Sequence, residues 1–390
     1  MPKHLALIET HPIQYKAPLF RVLAADPQLN VQVLYAMLPD AEQQGAGFGV
    51  DFQWDIPLLE GYPYRVLENV AAEPSVTRFS GCDTPGLYAL LKRERPDAVL
   101  VNGWVVKTCL QALWACRLLG IPCLVRGEAN RLRPRAWWKR ILHRILLRQY
   151  AGFLYIGEAN RDFYAAHGCP EDRLFFAPYA VDNAFFAREA EKRKNQRAAL
   201  RAQWGIAEDV CVFLFAGKLE AKKRPLDAVE ALGLLRDTGE RKAVLLVAGD
   251  GPLRDALVAR ARELKVELVM AGFLNQSQLP DAYAAADVLV LPSDAGETWG
   301  LVVNEAMASG RPAIVSRLVG CVPDLITHGE TGFSYDCGDI PALAKAMHQY
   351  YQHPALSAQH GQAATRRCER YSFDAIRNGL VDALDGVTHA

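Results

Sequence analysis

Two glutamates, Glu297 and Glu305, lie eight residues apart in the segment 291–312, LPSDAGETWGLVVNEAMASGRP, on either side of a glycine at position 300. The apolar run 288–291 predicts a strand before this segment, and the residues after the glycine predict a short helix. Backbone amides at a helix start have no carbonyl partner within the helix, so they form an anion site that suits a phosphate. Here these amides belong to Gly300, Leu301 and Val302.

The two carboxylates suit hydroxyl ligands. A carboxylate can accept hydrogen bonds from two adjacent hydroxyls, so one glutamate suits a ribose diol and the other suits the hydroxyls of a sugar. The alternative is that Glu297 and Glu305 are surface residues around an ordinary helix cap.

A basic loop at 215–225, FAGKLEAKKRP, follows a predicted strand that ends at Gly217. Lys218 and Lys223 can neutralise a diphosphate, both when it is bound and as charge develops on a leaving group. The alternative is a charged surface turn. The turn AGDGP at 248–252 contains Gly249 and begins like a dinucleotide-binding fingerprint, which fails because position 254 is arginine.

The segment 291–312 closely resembles the donor-binding signature of glycosyltransferase family 4, whose members are retaining enzymes of the GT-B fold. In that signature two glutamates at this spacing are followed by Ala-Met-Ala-x-Gly-x-Pro. The resemblance implies that Glu305 holds the ribose of a nucleoside diphosphate sugar, Glu297 the donor sugar, and Lys218 and Lys223 the diphosphate. Most family members carry arginine where this chain has Lys218. The lysine keeps the positive charge but cannot form the bidentate contacts of an arginine. The other implied donor contacts are Gly217, Gly249 and, beside the base, Phe273 and Leu274.

In the first half of the chain, the first predicted strand runs into the loop His11-Pro12-Ile13-Gln14-Tyr15. The resemblance implies that this loop lies beside the donor and acceptor, although the family's usual glycine-rich loop is absent. His11 is then a candidate proton carrier near pH 7, or else a loop histidine bonded to the backbone. Gln14, Arg126 and Glu128 are candidate acceptor contacts, and the last two can equally form an ion pair with each other.

The segment 131–150, RLRPRAWWKRILHRILLRQY, is strongly basic and has the periodicity of an amphipathic helix. Its apolar face carries Trp138, Ile141, Leu142, Ile145 and Leu146. One interpretation is a helix packed on the core with a basic solvent face. The other is docking on an anionic membrane surface. The candidate membrane contacts are Trp137, Trp138, Lys139, Arg140 and Arg144.

The elements that must position these residues alternate between short apolar strands and helices, which predicts an α/β fold with parallel sheets. Five strands are predicted in each half: 5–8, 31–35, 98–101, 123–126 and 152–156, then 210–215, 244–248, 268–271, 288–291 and 313–315. With the resemblance, this predicts the GT-B fold, two doubly wound Rossmann-like domains facing a central cleft. The predicted boundaries are an N-terminal acceptor domain at 1–187, a linker at 188–208, a nucleotide-sugar domain at 209–370 and a C-terminal helix at 371–390 that returns to the N-terminal domain.

Composition excludes several classes. The chain has 44 basic and 44 acidic residues, so its net charge does not predict a nucleic-acid partner. Nine scattered cysteines suit a reducing cytoplasm, and no apolar run is long enough to span a membrane. We therefore expect a cytoplasmic protein, with peripheral attachment to the cytoplasmic face of the inner membrane as the alternative. No metal-ligand motif is present, and we expect neither a metal nor another cofactor.

These observations predict a glycosyltransferase that moves a sugar from a nucleoside diphosphate sugar, UDP preferred over GDP, to a hydroxyl. The expected acceptor is a sugar or lipid-linked glycan in the synthesis of a bacterial surface polysaccharide. Two alternatives remain: a nucleotide-sugar 2-epimerase of the same fold, and a non-catalytic protein that binds sugar nucleotides.

Overall fold

The computed structural model describes residues 2–45, 51–236 and 242–388. The chain forms two compact units. Unit 1 consists of Met1–Asp40, Pro57–Tyr179 and Phe373–Ala390, and unit 2 consists of Ala41–Ile56 and Ala180–Ser372.

Unit 1 is built on a parallel sheet of seven strands. The strands are β1 (Lys3–Glu9), β2 (Leu29–Tyr35), β3 (Tyr64–Val66), β4 (Ala98–Val101), β5 (Cys123–Val125), β6 (Gly152–Tyr155) and β7 (Leu174–Phe176), in the order β3-β2-β1-β4-β5-β6-β7. Its helices are α1 (Ala17–Ala24), α3 (Leu87–Glu94), α4 (Lys107–Leu119), α5 (Trp137–Leu147), α6 (Glu158–Ala166) and the C-terminal α16 (Phe373–Thr388), whereas α2 (Ala41–Gly45) falls in unit 2. The central strands are continuous apolar runs because helices cover both faces of a doubly wound sheet.

Unit 2 repeats this architecture with six strands. They are β8 (Cys211–Ala216), β9 (Ala243–Ala248), β10 (Glu267–Gly272), β11 (Val288–Leu291), β12 (Ala313–Ser316) and β13 (Gly332–Tyr335), in the order β10-β9-β8-β11-β12-β13. Its helices are α7 (Asn183–Arg193), α8 (Arg197–Gln203), α9 (Pro225–Arg236), α10 (Arg254–Glu263), α11 (Leu279–Ala285), α12 (Leu301–Ala308), α13 (Val322–Leu325), α14 (Ile340–Gln352) and α15 (Pro354–Cys368). Single 3-10 turns lie at Phe79–Gly81, Glu171–Arg173, Lys194–Gln196 and Ala221–Lys223.

In both sheets the strand order reverses at one place, between β1 and β4 in unit 1 and between β8 and β11 in unit 2. Loops that leave adjacent strands toward opposite faces of the sheet part at this point and leave a crevice at the carboxyl ends, where open α/β sheets bind their ligands. The prediction of two doubly wound Rossmann-like domains is therefore confirmed.

All ten predicted strands are present, with boundaries within one or two residues, and three strands escaped prediction. The missed strands β3, β7 and β13 are three or four residues long, and all lie at a sheet edge. An edge strand has one neighbour and is only partly covered by helices, so its sequence needs no continuous apolar run.

The predicted linker 188–208 belongs to unit 2 and holds more helix than the single short helix expected in it, and the units divide between residues 179 and 180 rather than at 187. Arg188, Glu191, Lys192 and Lys194 are exposed, as expected of a solvated connector, whereas Arg201 is buried. The buried Arg201 guanidinium donates to the carbonyl of Ala285 at 2.9 Å and pairs with Asp287 at 2.9 Å. Ala285 and Asp287 lie more than 80 residues from Arg201, so the charge pattern does not reveal these contacts.

The C-terminal helix α16 returns to unit 1, as predicted, and packs against α1, β6 and β7. The contact is close at Gly379, where a Cβ atom would lie 1.8 Å from the carbonyl oxygen of Phe176. Arg377 on the same helix pairs with the buried Asp26 at 3.1 Å.

This close contact predicts that Gly379→Ala destabilises the protein by about 1–3 kcal/mol, because the added methyl group pushes α16 away from β7. Alanine otherwise stabilises a helix relative to glycine by up to about 1 kcal/mol, so helix propensity alone predicts the opposite sign. Thermal unfolding measures the effect. Asn378→Ala, at an exposed position on the same helix, is the control and should be neutral or slightly stabilising. An unchanged or higher melting temperature for Gly379→Ala would contradict the packing described.

Candidate functional site

The crevice of unit 2 brings together the loop after β8 and the loop after β11, because these strands are adjacent in the sheet. Lys223 lies in the 3-10 turn of the first loop, and Glu297 lies in the second loop. Their side chains form an ion pair and are only 13% and 14% exposed. Two residues that are 74 positions apart in sequence thus meet at the point where the fold type binds ligands.

Lys218 follows Gly217 at the end of β8 and is half-buried. Burial lowers the pKa of its ammonium group, an effect that the nearby carboxylate of Glu220 opposes. A partly desolvated ammonium interacts more strongly with an anion than one in bulk water, because the effective dielectric constant is lower.

Helix α12 begins directly after Gly300, which has a φ of +97°. A Cβ atom at this position would lie 2.9 Å from a methyl carbon of Leu291 and 3.0 Å from a methyl carbon of Val319. Glycine is therefore required both by the backbone conformation and by the space available. The first turn of the helix carries the amides of Gly300, Leu301 and Val302, as the sequence predicts.

Glu305 is buried on α12, and Tyr283 of α11 donates a hydrogen bond to its carboxylate at 2.6 Å. Burial raises the pKa of Glu305 to about 7, against the opposing effects of the Tyr283 hydrogen bond and the positive charge of Lys223. Sequence reasoning missed Tyr283, since an aromatic residue in an alanine-rich helix gives no sign that it faces a carboxylate 22 residues later.

The loops after β8, β9 and β10 form a continuous row along the carboxyl edge of the sheet. The Gly217 amide donates to the carbonyl of Ala248 at 2.9 Å, and the Gly249 amide donates to the carbonyl of Gly272 at 2.7 Å. A Cβ atom on Gly249 would lie 1.9 Å from the Gly217 oxygen, so glycine allows the close approach. Next in this row come Phe273 and Leu274, both half-buried.

In unit 1, His11 and Gln14 lie in the loop between β1 and α1, and both are half-buried. The ring of His11 is 2.9 Å from the Thr10 hydroxyl through Nδ1. Burial, with the positive charge of Lys16 adding to it, lowers the pKa of His11 to about 4. The imidazole is therefore neutral at pH 7 and can accept a proton but has none to donate as an acid.

Sequence reasoning missed a buried ion pair beneath this loop. Glu9, the last residue of β1, is 2% exposed and pairs with Lys16 at 2.8 Å, and Asn102 after β4 also donates to its carboxylate. Burial raises the pKa of Glu9, while Lys16 opposes the shift. The pair fixes both ends of the segment 9–16 that carries His11 and Gln14.

Arg126 and Glu128 differ in their surroundings. The buried Arg126 guanidinium donates to the carbonyls of Ala177 at 3.2 Å and Pro178 at 2.7 Å and lies over the Tyr179 ring. Glu128 is exposed and accepts a hydrogen bond from the Tyr179 hydroxyl. Arg126 therefore supports the loop after β7, whereas Glu128 is accessible to a ligand.

The predicted amphipathic helix is α5, and most of its apolar side is exposed, although Leu146 of that side contacts the core. Trp137 is 73% exposed, and Trp138, Ile141, Leu142 and Ile145 are each about half exposed. The side facing the core instead holds His143, whose ring lies 5.8 Å from that of Trp104 and 5.6 Å from that of Phe163. The helix therefore packs on the core through His143, Leu146 and Leu147, and leaves the rest of its apolar side exposed. Lys139, Arg140 and Arg144 are exposed as predicted.

The described residues contain neither a cluster suited to a metal ion nor a helix suited to crossing a membrane. Within 2–45, 51–236 and 242–388, no group of three or more histidine, cysteine, aspartate or glutamate side chains is arranged to hold a metal ion. In the same ranges, none of the helices combines the length and hydropathy needed to cross a bilayer.

Comparison with known proteins identifies the class. Residues 196–367 match the family model described as glycosyl transferases group 1, and residues 23–180 match the glycosyl transferase 4-like domain. The structure of Anabaena Alr3699/HepE in complex with UDP superposes with a TM-score of 0.72 at 17% identity, covering 98% of this chain and 99% of that chain. The chain has the GT-B fold and belongs to the family 4 glycosyltransferases.

Two curated relatives show the level of sequence identity to members of this family. The D-inositol 3-phosphate glycosyltransferase of Streptomyces avermitilis is 32% identical over 204 residues, which are 50% of this chain and 44% of that protein. The alpha-D-kanosaminyltransferase of Streptomyces kanamyceticus is 28% identical over 278 residues, 68% of this chain and 70% of that protein. The match thus spans less than half of the inositol-phosphate enzyme.

The environment of Glu305 predicts a stability that depends on pH. The folded carboxyl has a pKa of about 7 against an ordinary value of 4.5, so between these values the folded state holds a proton that the unfolded chain has lost. Stability contributed by this proton decreases as the pH rises through the window. The Glu305→Gln side chain cannot ionise. The free energy of unfolding of this variant should therefore rise by about 1–3 kcal/mol relative to that of the parent as the pH increases from 4.5 to 8.

Denaturant unfolding at both pH values measures this gain. Glu297→Gln, an equivalent change in the same crevice, is the control for a general effect of removing a carboxylate. A stability difference between Glu305→Gln and the parent that stays constant across the range would contradict the raised pKa.

Proposed function

We propose that this protein transfers a sugar from a nucleoside diphosphate sugar to a hydroxyl group, with retention of anomeric configuration. The observation that carries the proposal is the arrangement at the crevice of unit 2. A shielded Lys223–Glu297 pair, the glycine-initiated helix α12 and the buried Glu305 all lie at the carboxyl ends of β8 and β11. This combination offers groups for phosphate, sugar and ribose at one place.

In the proposed complex, unit 2 binds the donor. Glu305 accepts hydrogen bonds from the ribose hydroxyls, and its hydrogen bond from Tyr283 holds the carboxylate in one orientation. Glu297 accepts from the hydroxyls of the donor sugar. Gly217, Gly249, Phe273 and Leu274 border the rest of the nucleotide. We propose a UDP-sugar as the preferred donor, a choice supported by the UDP bound to the similar Anabaena structure.

The positive charges act on the diphosphate. Lys218 and Lys223, with the amides at the start of α12, oppose the charge that develops as the diphosphate leaves. Lys223 already sits against a carboxylate in a site largely closed to water, so its ammonium is held in position before the donor binds. We propose that these groups meet the phosphate charge without a metal ion or other cofactor.

The proposed chemistry needs no nucleophile from the protein. The bond between the anomeric carbon and the phosphate oxygen breaks, and the acceptor oxygen bonds to the same carbon on the same face. The acceptor proton passes to an oxygen of the departing diphosphate. The protein supplies positioning and charge stabilisation, which together provide large rate accelerations in enzymes.

We assign the acceptor to unit 1. His11 and Gln14 lie in the loop that the Glu9–Lys16 pair holds, and the exposed Glu128 offers a carboxylate to acceptor hydroxyls. Because His11 is neutral at pH 7, it can accept a hydrogen bond from the acceptor hydroxyl. The acceptor class that we propose is a sugar or lipid-linked glycan of a bacterial surface polysaccharide.

The donor proposal predicts that Lys223→Ala and Glu305→Ala each lower the rate of sugar transfer by about 10²–10³, because each removes a charge or hydrogen bond that acts on the reacting donor. A panel of UDP and GDP sugars, first by thermal shift and then by product analysis, identifies the donor. Lys222→Ala is the matched control, since this neighbouring lysine is exposed and pairs only at the surface with Glu220.

Parental rates in Lys223→Ala and Glu305→Ala would contradict the proposal. If the donor sugar itself changes when no acceptor is present, the protein is instead a nucleotide-sugar 2-epimerase. If nucleotides bind but no sugar is transferred, the protein is instead a non-catalytic sugar-nucleotide-binding protein.

We also propose that α5 attaches the protein to the cytoplasmic face of an anionic membrane. Its exposed tryptophans and aliphatic side chains provide apolar insertion, while Lys139, Arg140 and Arg144 provide attraction to anionic headgroups. The observation that supports this proposal is the exposure of Trp138, Ile141, Leu142 and Ile145, which a helix packed on the core through its apolar side would bury. Attachment would bring unit 1 to acceptors that are anchored in lipid.

The membrane proposal predicts that Trp137→Ala combined with Ile141→Ser reduces binding to vesicles with anionic lipid at least tenfold, because both remove apolar surface from the interface. Co-sedimentation with vesicles of phosphatidylglycerol and phosphatidylcholine measures binding. Trp114→Ala removes a comparably exposed tryptophan from α4 and should leave binding unchanged. Equal binding to neutral and anionic vesicles, or an unaffected double variant, would contradict attachment through α5.

A further inference from the structure

The segment Asp51–Ile56, here called the strap, belongs to unit 2, although the chain before residue 41 and after residue 56 belongs to unit 1. It lies on the loop that follows β10, the edge strand of the second sheet. Nothing in the sequence pattern predicts this position. The strap therefore adds residues from the first half of the chain to the row of loops that borders the crevice of unit 2.

Polar contacts hold the strap at a defined register. The side-chain amide of Asn275 donates to the carbonyl of Gln53 at 2.8 Å, and its oxygen accepts from the Asp55 amide at 3.3 Å. The carboxylate of Asp55 in turn accepts from the Ser277 amide at 3.2 Å. Because both main-chain and side-chain groups take part, the strap is held at several points rather than by one contact.

Between these polar contacts lies a cluster of three aromatic rings. The ring centroids of Phe52 and Phe273 are 4.2 Å apart with an interplanar angle of 36°, and those of Phe52 and Trp54 are 4.9 Å apart. A flat ligand between two rings needs a separation of about 7 Å, twice the contact distance of carbon atoms, so none fits between Phe52 and Phe273. All three residues are only partly buried, which leaves ring surface on the outside of the cluster.

The cluster lies at a suitable distance from the phosphate-binding groups. In the sheet, β10 is two strands away from β8, which is about 10 Å at the usual strand spacing. The hydrogen bonds of Gly217 and Gly249 connect the intervening loops without a break. A nucleotide with its phosphates at Lys218 and Lys223 can thus extend along this edge until its base reaches Phe273.

We propose that Phe52 and Trp54 determine base specificity, forming with Phe273 an aromatic surface on which the donor's base stacks. This inference rests on the proposed function, since it assigns two further residues to the same donor site. Stacking on aromatic rings is favourable for every base. Because this surface is held rigidly, its shape favours the base that makes the largest stacking contact with it.

The test measures the dissociation constants of UDP, GDP, ADP and CDP for the full chain and its variants by calorimetry. Phe52→Leu keeps apolar packing on Phe273 but removes a ring, and Phe52→Ala removes both. Each should weaken the tightest of the four nucleotides by about tenfold and reduce the differences between bases. Glu305→Ala should weaken all four by a similar factor and preserve their ranking, because it acts at the ribose.

Phe333→Leu is the matched control, since it makes the same change in a half-buried ring on β13, at the opposite edge of the sheet. It should leave all four constants unchanged. Melting temperatures establish that every variant is folded.

The outcomes separate the two proposals. If the parent chain binds none of the four nucleotides, the donor site and the role of the strap are both overturned. If the parent binds but both Phe52 variants keep its affinities and ranking, only the role of the strap is overturned. Tighter binding by the Phe52 variants also overturns it, since the strap would then obstruct the base rather than support it.

Discussion

The reversal of strand order between β8 and β11 is the constraint on which the candidate site depends. Adjacent parallel strands in this order send their connections to opposite faces of the sheet, which leaves the two loops open toward the same crevice. Lys223 and Glu297 meet there because each stands just beyond the end of one of these strands. Without this topology, the same residues would be separated by the width of several strands.

The charged groups at these crevices are shielded from water. Burial costs them hydration free energy but holds them in a fixed orientation. Glu305 and Glu9 are both nearly inaccessible, and burial raises the pKa of each carboxyl even though Tyr283 and Lys16 provide partners. A buried ion pair gains from the low dielectric but loses hydration, so it adds little net stability. What it provides is a fixed orientation, which agrees with a site where positioning matters more than stability.

Helix α5 shows how far an amphipathic pattern can be interpreted. The sequence predicts its period correctly, yet most of the apolar side is exposed and His143 contacts the rings of Trp104 and Phe163. Periodicity shows that two sides of a helix differ, but it does not state which one a protein core will cover. An apolar side that the core leaves open is available to another apolar phase, and the basic residues beside it favour an anionic one.

The sequence by itself determined the α/β class, ten of the strands, the helix start at Gly300 and the location of Lys218, Lys223 and Glu297 in loops that follow strands. These features depend on local patterns of hydrophobicity and on glycine, which act over a few residues. Tertiary structure alone decided the three short edge strands, the contact of Tyr283 with Glu305, the burial of Arg201 and the position of the strap on Asn275 and Ser277. Each of these results from contacts between residues distant in sequence or from incomplete burial, and neither leaves a periodic signal along the chain.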